Sequence, residues 1–276
     1  MDAIVEPGDI ARAYDFGPTS KRKDSVLTSP VSLFRKEDAL SREDARKALG
    51  LDQNRPVALV QLGTGDSDVN HKMTAALEGL LGWKDLQVIL TKAPIDKDGN
   101  SLAPEGLDIK VARYFPLAKV LHAFDAGICA TGYNGVHELL PAQVPTVFVS
   151  NIRGTDDQEA RARWCHDFGY ALRADQADLA DITKTVKKLQ DPQVRAALSA
   201  KCAELPQTTG GQEIADILQK ELDTNLGTEY FPNPYNGYQM NTQADISSTK
   251  KNLGFEPKFS LEKGIKIYIP EILRLH

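Results

Sequence analysis

Short apolar runs alternate with amphipathic segments along most of this chain, and this alternation constrains the fold more than any other feature. Apolar runs of strand length occur at residues 57–62, 86–90, 127–130 and from 146, with a weaker one at 108–111. Segments with helical spacing of apolar residues separate and follow them. Runs that are apolar at consecutive positions must be covered on both faces. The pattern therefore predicts an α/β fold, a parallel sheet with helices on both faces.

The carboxyl ends of the predicted strands indicate where a ligand would bind. Ligands of open parallel sheets lie outside the carboxyl ends of the strands, and Gly63, Gly132 and Asn151 fall at such ends. We predict a lead-in helix over residues 41–50. The helices predicted after it cover residues 73–81, 117–124, from 135, 159–168, 179–189, 194–205 and 214–222.

Composition restricts the partners and the compartment. The net charge is -5 and no Lys/Arg-rich stripe occurs, so nucleic acid is not an expected partner. The five histidines are scattered, and we expect no metal site. Residues 1–6 lack a signal-peptide pattern and no apolar run reaches about 20 residues, so we expect a cytoplasmic protein. Three cysteines without metal-ligand spacing are expected to be reduced and mostly buried, namely Cys129, Cys165 and Cys202.

The segment 130–140 carries the strongest functional signal. Its glycines, Gly132 and Gly135, lie between a strand and a helix, where backbone N–H groups at the positive helix end can hold a phosphate. Glu138, one turn into the helix, could accept hydrogen bonds from ribose hydroxyls. Two other interpretations are open: the glycines can be simple strand-to-helix punctuation, and Glu138 can be a first-turn acid that suits the helix dipole.

Six segments occur in a fixed order along the chain, at residues 41–51, 61–65, 114–116, 124–128, 131–138 and 157–160. Together they resemble the C-terminal, donor-binding half of GT-B glycosyltransferases, and within these the family 28 group. The resemblance extends from about residue 41 to residue 222. It implies a single Rossmann-like GT-B half that binds a nucleotide-sugar as its substrate, with UDP as the expected nucleotide. It implies no further cofactor.

The resemblance also implies roles for particular residues. The segment 63–65 resembles a phosphate loop, Phe115 stands where the family contacts the nucleobase, the segment 131–138 resembles the ribose-binding segment, and Gln158 resembles a glutamine that binds donor-sugar hydroxyls. The alternative interpretation of Gln158 is an exposed helix-start residue after an N-cap at Asp156 or Asp157, and we prefer the sugar contact. Catalytic residues are not identified. The candidate nucleotide-sugar contacts are Gly63, Thr64, Gly65, Phe115, Thr131, Gly132, Asn134, Gly135, Glu138, Asp157 and Gln158.

Two departures from the family pattern affect the expected activity. Asp66 and Asp68 follow the phosphate-type loop, where carboxylates near a diphosphate cost binding energy unless they face solvent. The family's N-terminal half, which carries the acceptor site and usually the catalytic base, has no counterpart. We therefore expect a donor-binding half that is inactive without an acceptor half from a missing domain or a partner protein. Peripheral membrane association would come only through that partner.

The tail has a different character. Residues 234–246 and 253–265 resemble the C-terminus of ADP-glycero-manno-heptose 6-epimerases, which are extended short-chain dehydrogenases/reductases, and Tyr238 matches a tyrosine near their nucleotide-sugar. A G-x-G-x-x-G motif and a Tyr-x-x-x-Lys pair are both missing, so we expect no NADP site. The two resemblances indicate a fusion, a hybrid gene or an artificially assembled sequence.

These observations give a domain plan and three functional hypotheses. The plan is a linker and lead-in helix at 1–53, a nucleotide-sugar-binding Rossmann-like domain at 54–223, and an epimerase-like α+β tail at 224–276. The preferred hypothesis is the glycosyltransferase donor half. The alternatives are a catalytically silent nucleotide-binding or protein-interaction module, and a remnant of a nucleotide-sugar epimerase.

Overall fold

The computed structural model describes residues 4–17, 20–63, 67–91, 104–152, 156–221 and 263. Contacts divide the chain into a unit of residues 1–229 and a unit of residues 230–276. The predicted tail lies outside the described residues apart from residue 263, and Tyr238 lies outside them too. The domain boundaries proposed from the sequence stay predictions.

The first unit contains eight described strands. They are β1 (Ile4–Glu6), β2 (Ser25–Leu27), β3 (Val57–Gln61), β4 (Gln87–Thr91), β5 (Asp108–Ala112), β6 (Ala126–Ala130), β7 (Thr146–Val149) and β8 (Leu172–Ala174). The α-helices are α1 (Arg42–Ala48), α2 (Ser67–Leu80), α3 (Tyr133–Leu139), α4 (Gln158–Asp167), α5 (Leu179–Lys187), α6 (Pro192–Cys202) and α7 (Gly210–Glu221). Three 3-10 helices cover Arg12–Tyr14, Leu117–Ala123 and Lys188–Gln190.

Six strands form one parallel sheet in the order β5-β4-β3-β6-β7-β8, and β1 and β2 form a separate parallel pair. In the centre, Leu59 of β3 is paired with Ile89 of β4 and with Gly127 of β6. The order places β6 between β3 and β7, so the segments that leave these three strands emerge side by side.

The alternation of side chains along the strands builds two cores. Leu59, Cys129 and Phe148 point into the core that includes α1, the 3-10 helix Leu117–Ala123, α3 and α4. Val60 and Ile128 point to the opposite core, which includes α2 and α5. The central strands β3, β6 and β7 are therefore buried on both faces, as the uninterrupted apolar runs predict. The three cysteines are buried and unpaired, and burial raises the pKa of Cys202 to about 12.

The structure corrects several predicted elements. The helix predicted over residues 117–124 is a 3-10 helix that covers Leu117–Ala123. The helix predicted over 73–81 begins at Ser67, because its polar first turn lacks the apolar spacing that marks a helix in sequence. Strand β8 escaped prediction because it is only three residues long and has a charged centre.

A buried arginine attaches the lead-in helix to the sheet. Arg46 of α1 donates to Asp125 at 2.8 Å and to the carbonyl oxygen of Ala123 at 3.1 Å. Three further carbonyl oxygens, of Asp52, Gln53 and Arg55, accept hydrogen bonds from the same guanidinium. Asp125 also accepts from the backbone N–H of Val57, the first residue of β3, at 2.8 Å. This network fixes the amino end of β3 against α1.

Candidate functional site

The carboxyl ends of β3, β6 and β7 are joined by side-chain hydrogen bonds. Asn151, which follows β7, donates from its amide to the carbonyl oxygen of Leu62 at 2.9 Å. The hydroxyl oxygens of Thr131 and Ser150 are 3.3 Å apart. Gly63 follows β3 with a φ of 95°, in the left-handed region that favours glycine. The predicted residues after these three strands thus lie along one edge of the sheet.

The turn that leads into α3 leaves space above its backbone. Gly132 is the N-cap residue of this helix, and no side-chain hydrogen bond caps the helix within the described structure. The φ of Gly132 is −65°, which any residue adopts, so the backbone does not require glycine here. A Cβ added to Gly132 would meet only the amide nitrogen of Gln158, at 3.9 Å. Asn134 is exposed and Gly135 is half-buried.

Gln158 lies in the first turn of α4, and the described structure provides a hydrogen-bond partner for the oxygen of its side-chain amide but not for the nitrogen. Asp157 is the N-cap residue of this helix and accepts from the backbone N–H of Ala160 at 2.9 Å. Gln158 is buried, and its side-chain oxygen accepts from the backbone N–H of Asn151 at 3.0 Å. In the described part of the chain no hydrogen bond involves its amide nitrogen, which lies near Gly132. Gln158 does begin this helix, but the alternative interpretation of it as an exposed residue is wrong.

Two other predicted contacts, Phe115 and Glu138, differ in exposure. Phe115 is 77% exposed and precedes the 3-10 helix Leu117–Ala123. Glu138 is half-buried in α3, and burial raises its pKa to about 7. Among the described residues the carboxylate of Glu138 has neither a hydrogen-bond nor an ion-pair partner.

One of the two carboxylates that depart from the family loop is directed outward. The side chain of Asp68 is 66% exposed and lies 2.7 Å from the ammonium nitrogen of Lys72. The buried Lys72 also donates to Ser150 O at 3.2 Å and to Gln176 at 3.1 Å. The charge of Asp68 is thus paired by a lysine next to the end of β7. Thr64, Gly65 and Asp66 lie outside the described residues.

A cavity of about 750 Å³ opens at this edge of the sheet. Its lining comes from four stretches of chain, at residues 9–17, 150–152, 156–161 and 173–176. Of the predicted contacts it includes Asp157 and Gln158, whereas Glu138 and Phe115 do not line it. Described lining residues include six carboxylates and two arginines, and such a polar wall suits a ligand rich in hydroxyl groups.

Sequence reasoning did not single out Arg161 and Asp9, which both line this cavity. Arg161 is buried and donates to Asp9 at 2.8 Å, to Asp156 at 2.9 Å and to the carbonyl oxygen of Thr131 at 2.6 Å. Its position three residues after Gln158, on the same side of α4, was the signal that could have revealed it. Asp9 gave no such signal, because it lies 152 residues before Arg161.

Two further properties of the described residues bear on the chemistry. Across the described ranges, no three His, Cys, Asp or Glu side chains gather in a way that could hold a metal ion. No helix in the same ranges combines the length and the apolar character needed to cross a membrane.

Comparison with known proteins places this geometry in context. Residues 63–219 match the family described as Glycosyltransferase family 28 C-terminal domain. A transferase of Nocardioides sp., named UDP-N-acetylglucosamine--N-acetylmuramyl-(pentapeptide) pyrophosphoryl-undecaprenol N-acetylglucosamine transferase, is 30% identical over 224 residues, which cover 78% of this chain and 60% of the relative. The 4'-demethylrebeccamycin synthase of Lentzea aerocolonigenes is 30% identical over 51% of this chain and 32% of its own length.

Solved structures agree on the fold. The spinosyn forosaminyltransferase SpnP has a TM-score of 0.55 at 17% identity, covering 80% of this chain and 55% of the other. MurG of Acinetobacter baumannii has a TM-score of 0.53 at 22% identity, covering 74% and 58%. At these identities the likeness concerns the fold alone, and it confirms the predicted Rossmann-like half of the GT-B architecture. The chain spans about 60% or less of the length of all these relatives.

Proposed function

The chain belongs to family 28 of the glycosyltransferases, whose C-terminal domain it contains, and from this membership we propose that it binds a nucleotide-sugar as the donor-binding half of a transferase. Transfer would go to an acceptor held by another domain or by a partner protein. UDP is the proposed nucleotide, because three of the relatives are named as transferases that use UDP-N-acetylglucosamine.

The arrangement of Gln158 opposite Gly132 carries the proposal. The oxygen of the Gln158 amide is occupied by Asn151, so its nitrogen retains donor capacity beside the cavity. A sugar hydroxyl is an acceptor that fits this donor. The open space at Gly132 would admit a ligand close to the backbone, since a methyl group there would meet nothing nearer than 3.9 Å.

The chemistry follows from where charge develops. When the bond between the sugar and the nucleoside diphosphate breaks, the leaving diphosphate gains negative charge. Backbone N–H groups after β3 and in the turn that contains Gly132 would stabilise that charge. Glu138 would accept hydrogen bonds from ribose hydroxyls in its ionised form. The scheme places the base that deprotonates the acceptor in the acceptor half, so this chain alone would bind the donor without transferring the sugar.

Calorimetric titration of the chain with UDP, UDP-N-acetylglucosamine and NADP tests the proposal. We expect saturable binding of both UDP compounds with no transfer until an acceptor half is added. Failure of every nucleoside diphosphate to bind would remove the proposal and leave the protein-interaction module. Binding of NADP alone would favour the epimerase remnant, whose characteristic tail lies outside the described residues.

A further inference from the structure

The guanidinium of Arg161 connects three separate stretches of chain around the cavity. It donates hydrogen bonds to Thr131 and Asp156. It also donates two hydrogen bonds to the same carboxylate oxygen of Asp9, from Nε at 2.9 Å and from Nη2 at 2.8 Å. Only 7% of the Arg161 side chain is exposed. Burial lowers the pKa of Arg161, but the hydrogen bonds to Asp156 and Asp9 outweigh burial and the net shift is upward. The cation is therefore strongly held.

Asp9 belongs to an N-terminal segment that is attached to α3. The hydroxyl of Tyr133 donates to the carbonyl oxygen of Gly8 at 2.7 Å, and the backbone N–H of Ile10 donates to His137 at 3.1 Å. The family match begins only at residue 63, so this segment lies outside it. It nevertheless supplies part of the cavity wall, including Asp9 itself.

The partners of Arg161 are adjacent to the proposed ligand contacts. Thr131 directly precedes Gly132, where an added Cβ would lie 3.9 Å from the side-chain nitrogen of Gln158. Asp156 lies two residues before Gln158, and Arg161 lies three residues after Gln158 within α4. A displacement of the guanidinium would therefore reach both the turn after β6 and the first turn of α4.

We propose that Asp9 is a positioning residue of the donor site: through Arg161 it sets the relative placement of the turn at Thr131–Gly132 and the helix start at Asp156–Gln158. The inference rests on the proposed function for its effect on the ligand. The structural part of the inference, which is the relative placement of this turn and this helix start, does not depend on any ligand.

The choice of variants follows from the charges. Removing Arg161 would leave two carboxylates, Asp9 and Asp156, without their shared cation, and the protein could fail to fold. Asp9→Ala instead leaves Arg161 paired with Asp156, and Asp9→Asn retains one acceptor oxygen for the guanidinium. Tyr14→Phe is the matched control. The Tyr14 hydroxyl donates to Asp167 at 2.9 Å, so it joins the same segment to the far end of the same helix.

Two measurements on the full chain test the proposal. Amide hydrogen exchange should accelerate in Asp9→Ala at residues 131–135 and 156–161, about tenfold, with a smaller increase in Asp9→Asn and none in Tyr14→Phe. Calorimetry should show the affinity for UDP-N-acetylglucosamine falling on the order of tenfold in Asp9→Ala and the affinity for UDP falling less. The affinity for UDP should fall less because the proposed contact of Gln158 is with the sugar, which UDP lacks.

The two measurements separate the two proposals. Equal rates of amide exchange in Asp9→Ala and Tyr14→Phe at residues 131–135 and 156–161 would overturn the positioning role, whatever the affinities for the ligands are. Faster amide exchange in Asp9→Ala with unchanged affinity for the nucleotide-sugar would also overturn the proposal that Asp9 positions the donor site. If the wild-type chain binds no nucleotide, the proposed function fails, and the exchange data alone then decide whether Asp9 places the two loops.

Discussion

The side-chain oxygen of Gln158 accepts a hydrogen bond from the backbone N–H of Asn151 at 3.0 Å. This contact fixes which end of the amide is free, because the nitrogen is left on the side of Gly132. The free end is therefore a donor, which a sugar hydroxyl can use and a backbone N–H cannot.

Replacing Gln158 by Glu should reduce the affinity for UDP-N-acetylglucosamine about tenfold and change the affinity for UDP less than threefold. The glutamate keeps an oxygen for Asn151 but substitutes an acceptor for the donor, and the loss of one hydrogen bond corresponds to about 1 kcal/mol. Calorimetry measures both constants. Gln212→Glu is the control, since Gln212 is an exposed residue of α7 and its amide donates to Asp216 in the same helix. Equal losses for UDP and the UDP-sugar would contradict a sugar contact at Gln158.

Gly132→Ala should weaken nucleotide-sugar binding by a factor on the order of ten while leaving the thermal midpoint nearly unchanged. The new methyl group would meet the amide of Gln158 at an ordinary 3.9 Å, so the fold tolerates it, but it would fill space that the ligand needs. Gly79→Ala provides the opposite control. Its Cβ would lie 2.7 Å from the carbonyl oxygen of Thr183, and the protein should lose stability. Unchanged binding in Gly132→Ala would place the ligand elsewhere.

Glu138 should make stability depend on pH in the direction opposite to most carboxylates. Burial raises its pKa from 4.5 to about 7, so the folded protein binds more protons than the unfolded chain between these values. The contribution of Glu138 to the stability of the wild type therefore falls as the pH rises from 4.5 through 7. Glu138→Gln should be more stable than wild type at pH 8, by about 1–3 kcal/mol, and equal to it near pH 4.5. Urea unfolding at several pH values measures the difference.

Glu213 gives the control of opposite sign for this measurement. Hydrogen bonds from Ser29 and Thr209 lower its pKa, so the ionised group stabilises the folded state above the ordinary glutamate pKa, and this contribution is lost as the pH falls. Glu213→Gln should therefore be less stable than wild type at neutral pH. A Glu138→Gln variant that loses stability at pH 8 would show that the carboxylate has a partner in solution.

The two arginines that share Asp125 should differ sharply in their contribution to stability. Arg46 is buried and donates to Asp125 and to four carbonyl oxygens, so Arg46→Met should cost about 3–5 kcal/mol. Arg42 binds the other oxygen of Asp125 at 2.5 Å but is 50% exposed, and Arg42→Met should cost less than about 1 kcal/mol. Chemical unfolding compares them. Similar losses for both would contradict a network centred on Arg46.

The sequence predicted those parts of the molecule that depend on local pattern. Strands such as β3 and β6 are apolar at consecutive positions. From this property we also predicted the parallel sheet and the edge of the sheet where Gly132 lies. Contacts between distant segments left no local trace. Asp9 reaches Arg161 across 152 residues, and the burial of Glu138 depends on how α3 packs.

Donors with an anionic sugar should bind less well than neutral ones. The described cavity lining has six carboxylates and two arginines, and the arginines pair with Asp9, Asp156 and Glu159. The remaining acids, which include Asp175, have backbone N–H donors as their hydrogen-bond partners. A sugar carboxylate placed near this surplus charge is repelled by about 1 kcal/mol or more per close pair.

UDP-glucose and UDP-glucuronic acid form a matched pair for this prediction, because they differ only in a hydroxymethyl against a carboxylate group. We expect calorimetry to give at least about tenfold weaker binding for the acid at low salt, and a smaller difference at 0.5 M salt, where charges are screened beyond roughly 4 Å. Asp175→Asn should narrow the difference while keeping the oxygen that accepts from Ala177. Equal binding of the two donors at low salt would mean that the sugar does not enter the cavity beside Gln158.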